Sequence, residues 1–176
     1  MRAVRGLSLL CLVWLAGCAT RPAVTHYAAT SVMTVQGATA VGDFSYRPAR
    51  EGRVAANQIA NTAVGDVRLD QDVARFVRDA VFLELRGVGI RTGAADRVLR
   101  GDVVAFDIDD LGYSVDWTLT VAYTVAGADG LPRYQGTHTV RRRTAKYGNP
   151  SGALNETVKR NIEALLADPG FVAAIR

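Results

Sequence analysis

The chain has 176 residues, with 21 Lys and Arg against 17 Asp and Glu and a formal net charge of +4. So small a surplus excludes the clustered basic footprint of a nucleic-acid-binding protein, and the length suits one domain that buries its own core without staples. Both cysteines, Cys11 and Cys18, lie within the first 18 residues, so the rest of the chain excludes a thiol nucleophile, a cysteine-ligated zinc site and an internal disulfide.

Arg2 and Arg5 make a short positive start, and Leu9 to Leu15 follow as an unbroken apolar run too short to span a bilayer core of about 30 Å. The run ends in Leu15-Ala16-Gly17-Cys18: an aliphatic residue, two small ones, then a cysteine. This order resembles the lipobox of bacterial lipoprotein precursors. The resemblance implies that residues 1–17 are a removable export signal, that cleavage falls between Gly17 and Cys18, and that the Cys18 thiol carries the lipid. Loss of Arg2 and Arg5 would leave 19 Lys and Arg against the same 17 acids, a nearly neutral domain. Ala19 and Thr20 lack the aspartate that marks inner-membrane retention in enterobacterial lipoproteins, so the expected address is the periplasmic face of the outer membrane.

Residues 18–37 read as the lipidated cysteine and a tether, rich in Ala, Thr and Val with Pro22 and no clear period, and residues 38–176 read as a single periplasmic domain. Thr39 to Tyr46 is the first strand, with Gly42 marking a bulge and Pro48, which cannot donate to a ladder, ending it. Between Ala49 and Val67 the pattern weakens, with Gln58 to Val64 as a short strand. Asp70 to Arg86 is a helix, because Val73, Phe76, Val77, Ala80, Val81 and Leu85 recur at spacings of three and four. Asp70 or Asp72 is placed to cap it, Arg75 and Asp79 sit one turn apart, and Gly87 with Gly89 permits the positive φ that stops it. The glycines from Gly87 to Gly93 follow a helix instead of joining a strand to one, which excludes a nucleotide-binding loop.

Three strands follow: Val98 to Asp109, Tyr113 to Val125, and Leu131 to Arg143. In the middle one, Val115, Trp117, Leu119, Val121, Tyr123 and Val125 alternate with polar or small residues, the period of a sheet with one buried face. Turn chemistry at Asp110-Leu111-Gly112 and at residues 126–130 makes the three an antiparallel meander. After a loop at Gly148-Asn149-Pro150, Ser151 is placed to cap a second helix that runs through about Ala167 with Leu154, Val158, Ile162, Leu165 and Leu166 as its stripe; Glu156 with Arg160, and Lys159 with Glu163, pair on the outer face. Asp168-Pro169 opens a last helical turn.

Chemistry-bearing groups are sparse. His26 and His138 have no partner set in the sequence, no Gly-x-Ser-x-Gly elbow occurs, and no cofactor is expected. Asp107 and Asp109 would share a strand face and, with Asp110, hold a cation through oxygen ligands; the alternative is a solvated strand end entering a turn. Arg141, Arg142 and Arg143, with Lys146 and Tyr147, would meet lipid phosphates or an acidic partner, or else keep an edge strand from pairing. Alternation places Arg141 and Arg143 on the exposed face and Arg142 with Val140 and His138 on the other, making Arg141, Arg143 and Lys146 the candidate contacts.

The order strand, helix, three-strand meander, helix behind a lipobox resembles the YajG family of small Gram-negative lipoproteins. The resemblance covers roughly Ala38 to Phe171 and rests on Val41-Gly42-Asp43-Phe44, on Val73 to Leu85 followed by Gly87-Val88-Gly89, and on Val98-Leu99-Arg100-Gly101. It implies an envelope lipoprotein without an assigned reaction. Lipopolysaccharide-assembly lipoproteins and auxiliary lipoproteins of envelope transporters share a similar order. The expected fold is α+β, an antiparallel sheet of about four strands with two long helices on one face. The expected function is a non-enzymatic binding or assembly lipoprotein, with a metal-dependent periplasmic enzyme as the alternative.

Overall fold

The computed structural model describes residues 26–62, 67–93, 96–146 and 148–176; the expected signal segment, Cys18, the start of the expected tether and Tyr147 lie outside them. The elements are β1 (Ala40–Tyr46), α1 (Arg47–Arg50), β2 (Gln58–Asn61), β3 (Val67–Arg68), α2 (Val73–Gly87), β4 (Arg97–Asp109), β5 (Ser114–Gly127), β6 (Pro132–Ala145), α3 (Pro150–Leu166) and α4 (Pro169–Ile175).

The long strands form the expected meander. β4 pairs antiparallel with β5 from Arg97↔Gly127 to Asp109↔Asp116, and β5 with β6 from Ser114↔Ala145 to Ala126↔Pro132. The alternation along β5 is realised as read: Trp117, Leu119, Val121, Tyr123 and Val125 are buried, and the residues between them half-exposed.

The sheet is larger than expected and mixed. Among the described residues it has six strands in the order β3-β2-β4-β5-β6, with β1 also on β4, in place of about four antiparallel ones. β1 runs parallel to the first half of β4 and β2 parallel to its end, while β2 and β3 pair antiparallel. The cause is the intervening helix: α2 carries the chain back, so β4 re-enters in the direction of β1, whereas two-residue β3 is too short to show a period. The bulge read at Gly42 appears as a register shift between Val41 and Phe44. Gly101 receives the Phe44 ring against its bare Cα, where a Cβ would collide with it.

The helices cover one face, α2 against β1 and β4, α3 against β5 and β6, around a single cluster of buried apolar side chains. Asp72 stands at the α2 N-cap position, but its side chain makes no capping bond. At the other end Val88 is the cap and Gly89 takes φ +96°. Asn149, not Ser151, caps α3, its side chain accepting from the Gly152 amide. Both outer-face pairs of α3 form, Arg160 to Glu156 at 2.9 Å and Lys159 to Glu163 at 3.7 Å.

Two buried polar residues hold the layers together. Asn161, fully buried on α3, donates through Nδ2 to the carbonyls of Leu119 (3.2 Å) and His138 (2.8 Å) and accepts from the Tyr123 hydroxyl at 2.9 Å. Glu84, fully buried on α2, accepts from the Tyr27 hydroxyl (2.6 Å) and from the amides of Thr30 (3.1 Å) and Ser31 (3.2 Å). The described part of the expected tether therefore lies on the helices from Tyr27 onward. Tyr27 meets Phe76 edge-on, the Val35 amide donates to Val88, and the Ala38 amide to Ile175. Burial alone would push the Glu84 carboxyl up, but its three donors outweigh that and hold it below the ordinary glutamate range.

Asn161→Leu strands a phenol and two carbonyls in the core, and urea unfolding should show a loss of roughly 2–4 kcal/mol with an unchanged slope. A loss within experimental error would show that water replaces the side chain. Because the folded pKa of Glu84 is depressed, its contribution is present above the ordinary glutamate value and lost as pH falls through the depressed one. The amide resonances of Thr30 and Ser31 should thus titrate with a midpoint below the ordinary value of about 4.3. A midpoint at or above it would contradict the grip.

Candidate functional site

The β4–β5 turn, the end of β6 and the start of α3 meet at one end of the sheet, and there the acidic and basic candidates become neighbours. On the open sheet face two cross-strand rows run side by side: Asp107, Thr118 and Arg141 in one, Asp109, Asp116 and Arg143 in the next. They line a cleft of about 570 Å³ closed at its side by Thr62. Arg143 grips Asp116 with two bonds of 2.7 Å, which hold the Asp116 carboxyl below its usual range. Loss of hydration in the cleft raises the Asp107 carboxyl, opposed by Arg53. Asp109 accepts from Thr62 Oγ1 (3.0 Å) and the Leu111 amide (3.2 Å).

The three acids read as a possible cation site do not converge. Asp107 and Asp109 are exposed on the open face, whereas Asp110 is buried on the other. Among the described residues no group of three His, Cys, Asp or Glu side chains is placed to hold a metal ion. What the arrangement offers at Asp109 is the capping of a turn.

The basic run divides across the sheet as alternation requires. Arg141 and Arg143 face outward; Arg142 and Lys146 turn to the helical side, where they line a second cleft of about 540 Å³. Its floor is Val115 and Trp117, and Asn149 and Pro150 of the α3 start form its lip. The Trp117 indole donates to Thr144 Oγ1 at 3.1 Å. Lys146 donates to the carbonyls of Asp110 (2.7 Å) and Gly112 (3.2 Å), so it braces the β4–β5 turn. Of the three candidate contacts, Arg143 is thus paired and Lys146 braces a turn, which leaves Arg141 as the outward one of the three that is engaged in neither way.

His138, read as an ordinary strand residue, belongs to a bonded trio. The Tyr134 hydroxyl donates to Asp168 Oδ2 at 2.7 Å and lies 2.8 Å from His138 Nε2, which stands 3.6 Å from the same carboxylate. Tyr134 reaches His138 across Gly136, where a Cβ would collide with the phenol oxygen. Burial lowers the His138 pKa, and Asp168 opposes it. The trio ties β6 to the foot of α4, since Asp168 also accepts from the Gly170 amide at 2.8 Å. His26 shows no comparable set among the described residues.

Glu84 and Asn161 escaped the sequence reading, although a signal was present. Glu84 falls seven residues after Val77 and three after Val81, and Asn161 three after Val158, so each is a polar residue on an apolar stripe. Such a residue must find buried partners.

No protein-family model matches the sequence, and no curated protein matches it, so the YajG resemblance rests on the residues quoted for it. Solved structures are similar in fold. The hypothetical protein CT253 from Chlamydia trachomatis has a TM-score of 0.56 at 10% identity, over 80% of this chain and 99% of that one. An uncharacterized protein has a TM-score of 0.50 at 10% identity, over 80% and 95%. A minor lipoprotein from Acinetobacter baumannii is similar at a TM-score of 0.38 and 10% identity, over 69% and 87%, a likeness too slight to carry an argument. Among the described residues no helix is long and apolar enough to cross a membrane.

The candidate contacts should separate by stability. Arg141→Ala should stay within about 0.5 kcal/mol of the parent, as at an ordinary surface site. Lys146→Ala, which releases two carbonyls of the β4–β5 turn, should lose about 1 kcal/mol. Urea unfolding of both variants checks the order, and a reversal would return Lys146 to the contact surface.

Proposed function

We propose that this chain is a non-enzymatic cell-envelope lipoprotein, a binding or assembly module held by acyl chains on Cys18 at the periplasmic face of the outer membrane. The observation that carries the reading is Leu15-Ala16-Gly17-Cys18 directly after a charged start and a short apolar run. Several acyl chains, at about 0.8 kcal/mol for each buried methylene, hold such a protein to its leaflet. The domain's thiol-free sequence after Cys18 suits the oxidising envelope.

Binding over chemistry is supported by the division of the acids at the turn between two faces, by the pairing of Arg143 with Asp116 and by the bond of Asp109 to Thr62. The surface offered to a partner is the turn end of the sheet, where Arg141 stands outward and Leu111 and Tyr113 are exposed. An anionic envelope protein or lipid head group fits that charge, and an auxiliary role in a transport or lipopolysaccharide-assembly machine would use the same surface.

Cys18→Ser should abolish incorporation of labelled palmitate and leave precursor in the inner membrane, read by gel mobility and fractionation. Continued labelling of the Cys18→Ser protein would refute the anchor, since Cys11 sits inside the apolar run without a lipobox before it.

A further inference from the structure

The grip of Glu84 on the N-terminal segment fixes where the anchor leaves the domain. Tyr27 lies on the helical layer, bonded to Glu84 and edge-on to Phe76 of α2, and the Ser31 hydroxyl donates to Glu163 of α3 at 3.2 Å. Ala29 passes over Gly87, close enough that a Cβ there would sit 3.9 Å from its methyl. The segment 27–31 is thus strapped across both helices.

Two further observations point the same way. The strap and the adjoining turn of α2 expose apolar side chains: Val32 is fully exposed, and Met33 and Leu83 are 36% and 39% exposed. Leu83 is the neighbour of Glu84 and lies one helical turn from Gly87, so it flanks the strap. Only eight residues lie between Cys18 and Tyr27, a reach of at most about 30 Å when fully extended. A domain of this size has a radius of gyration of roughly 15 Å. To present the open sheet face to its own leaflet, the chain would have to run around the molecule with its whole length drawn out.

We propose that the domain docks on the leaflet holding the Cys18 acyl chains with its helical layer toward the lipid, Val32, Met33 and Leu83 entering the head-group boundary and the open face of β4, β5 and β6 turned to the periplasm. The inference rests on the lipoprotein reading and adds an orientation to it. Glu84 is the positioning residue, because it holds the strap that carries the apolar contacts. The occupant is the bilayer itself, since the anchor brings it within reach of this face on every molecule.

The experiment uses the lipidated protein in vesicles of phosphatidylethanolamine and phosphatidylglycerol, with a nitroxide on a single introduced cysteine at Val32→Cys, Leu83→Cys or Thr137→Cys. All three residues are exposed, so the substitutions spare the core. Relaxation by a water-soluble nickel complex should fall several-fold at the Val32 and Leu83 sites relative to Thr137, while relaxation by lipid-soluble oxygen rises there. Equal nickel access at the three sites, or greater protection at Thr137, overturns the docking and leaves the anchor standing. Nickel protection without a rise in oxygen access also overturns it, because that pattern marks contact with protein. Mass spectrometry of the N-terminal peptide reads the acyl chains separately, and their absence from Cys18 overturns the anchor and the orientation together.

Discussion

Strand β4 is buried in the middle of the sheet, and every donor and acceptor on both of its edges has to be satisfied. Along one edge β5 does this over the whole length, from Arg97 to Asp109. The other edge is filled in two pieces, β1 against residues 98–103 and β2 against Asp107 and Ile108. The mixed sheet follows from that requirement. Both pieces come from chain that precedes α2, and the helix between them and β4 makes the pairing parallel. Near the end of the first piece sits Asp102, which accepts from Ser45 at 2.7 Å and from Arg47 and Arg50, so the changeover from β1 to α1 is bonded to the same strand. Burial there would raise the Asp102 carboxyl, but Ser45 and the two guanidinium groups together hold it low.

What was legible in the sequence was whatever an apolar period encodes. The β5 alternation exists because one side faces helices and the other solvent, and the stripes of α2 and α3 exist because each helix buries one face. The bulge at Gly42 and the split of the arginines were legible for the same reason, since glycine and alternation act locally. The parallel pairing was not: β1 and β2 were legible as strands, but pairing direction is set by the path of the chain, and β3 is too short to show a period. Residues 26–38 have no period at all: they are held by a carboxylate, a phenol and backbone amides, so nothing in their apolar pattern announces that they pack.

Glu84 and Asn161 illustrate the complementary rule. Each interrupts an apolar stripe, and each is paid for by partners from distant chain, Glu84 by the strap and Asn161 by β5 and β6. A polar side chain buried with its partners fixes geometry more narrowly than apolar contact does, because a shift of an ångström breaks the bonds. Glu84 fixes where the segment 27–31 meets the helices, and Asn161 fixes a helix that the segment lies against.

The run of arginines suits two proposed ends at once. β6 ends the sheet, and a second copy pairing antiparallel about His138 would set Arg133 beside Arg143 and Gln135 beside Arg141. Like charges placed opposite each other oppose that pairing. Arg143 is meanwhile drawn to Asp116 on its own sheet, which keeps its charge at the edge and removes it from the contact surface. Arg141 stands opposite Thr118, which offers it no charge, so the same edge that resists a second copy leaves one cation turned outward on the open sheet face. Protection of the edge and contact with an anionic partner are therefore compatible roles, divided between neighbouring residues of one strand.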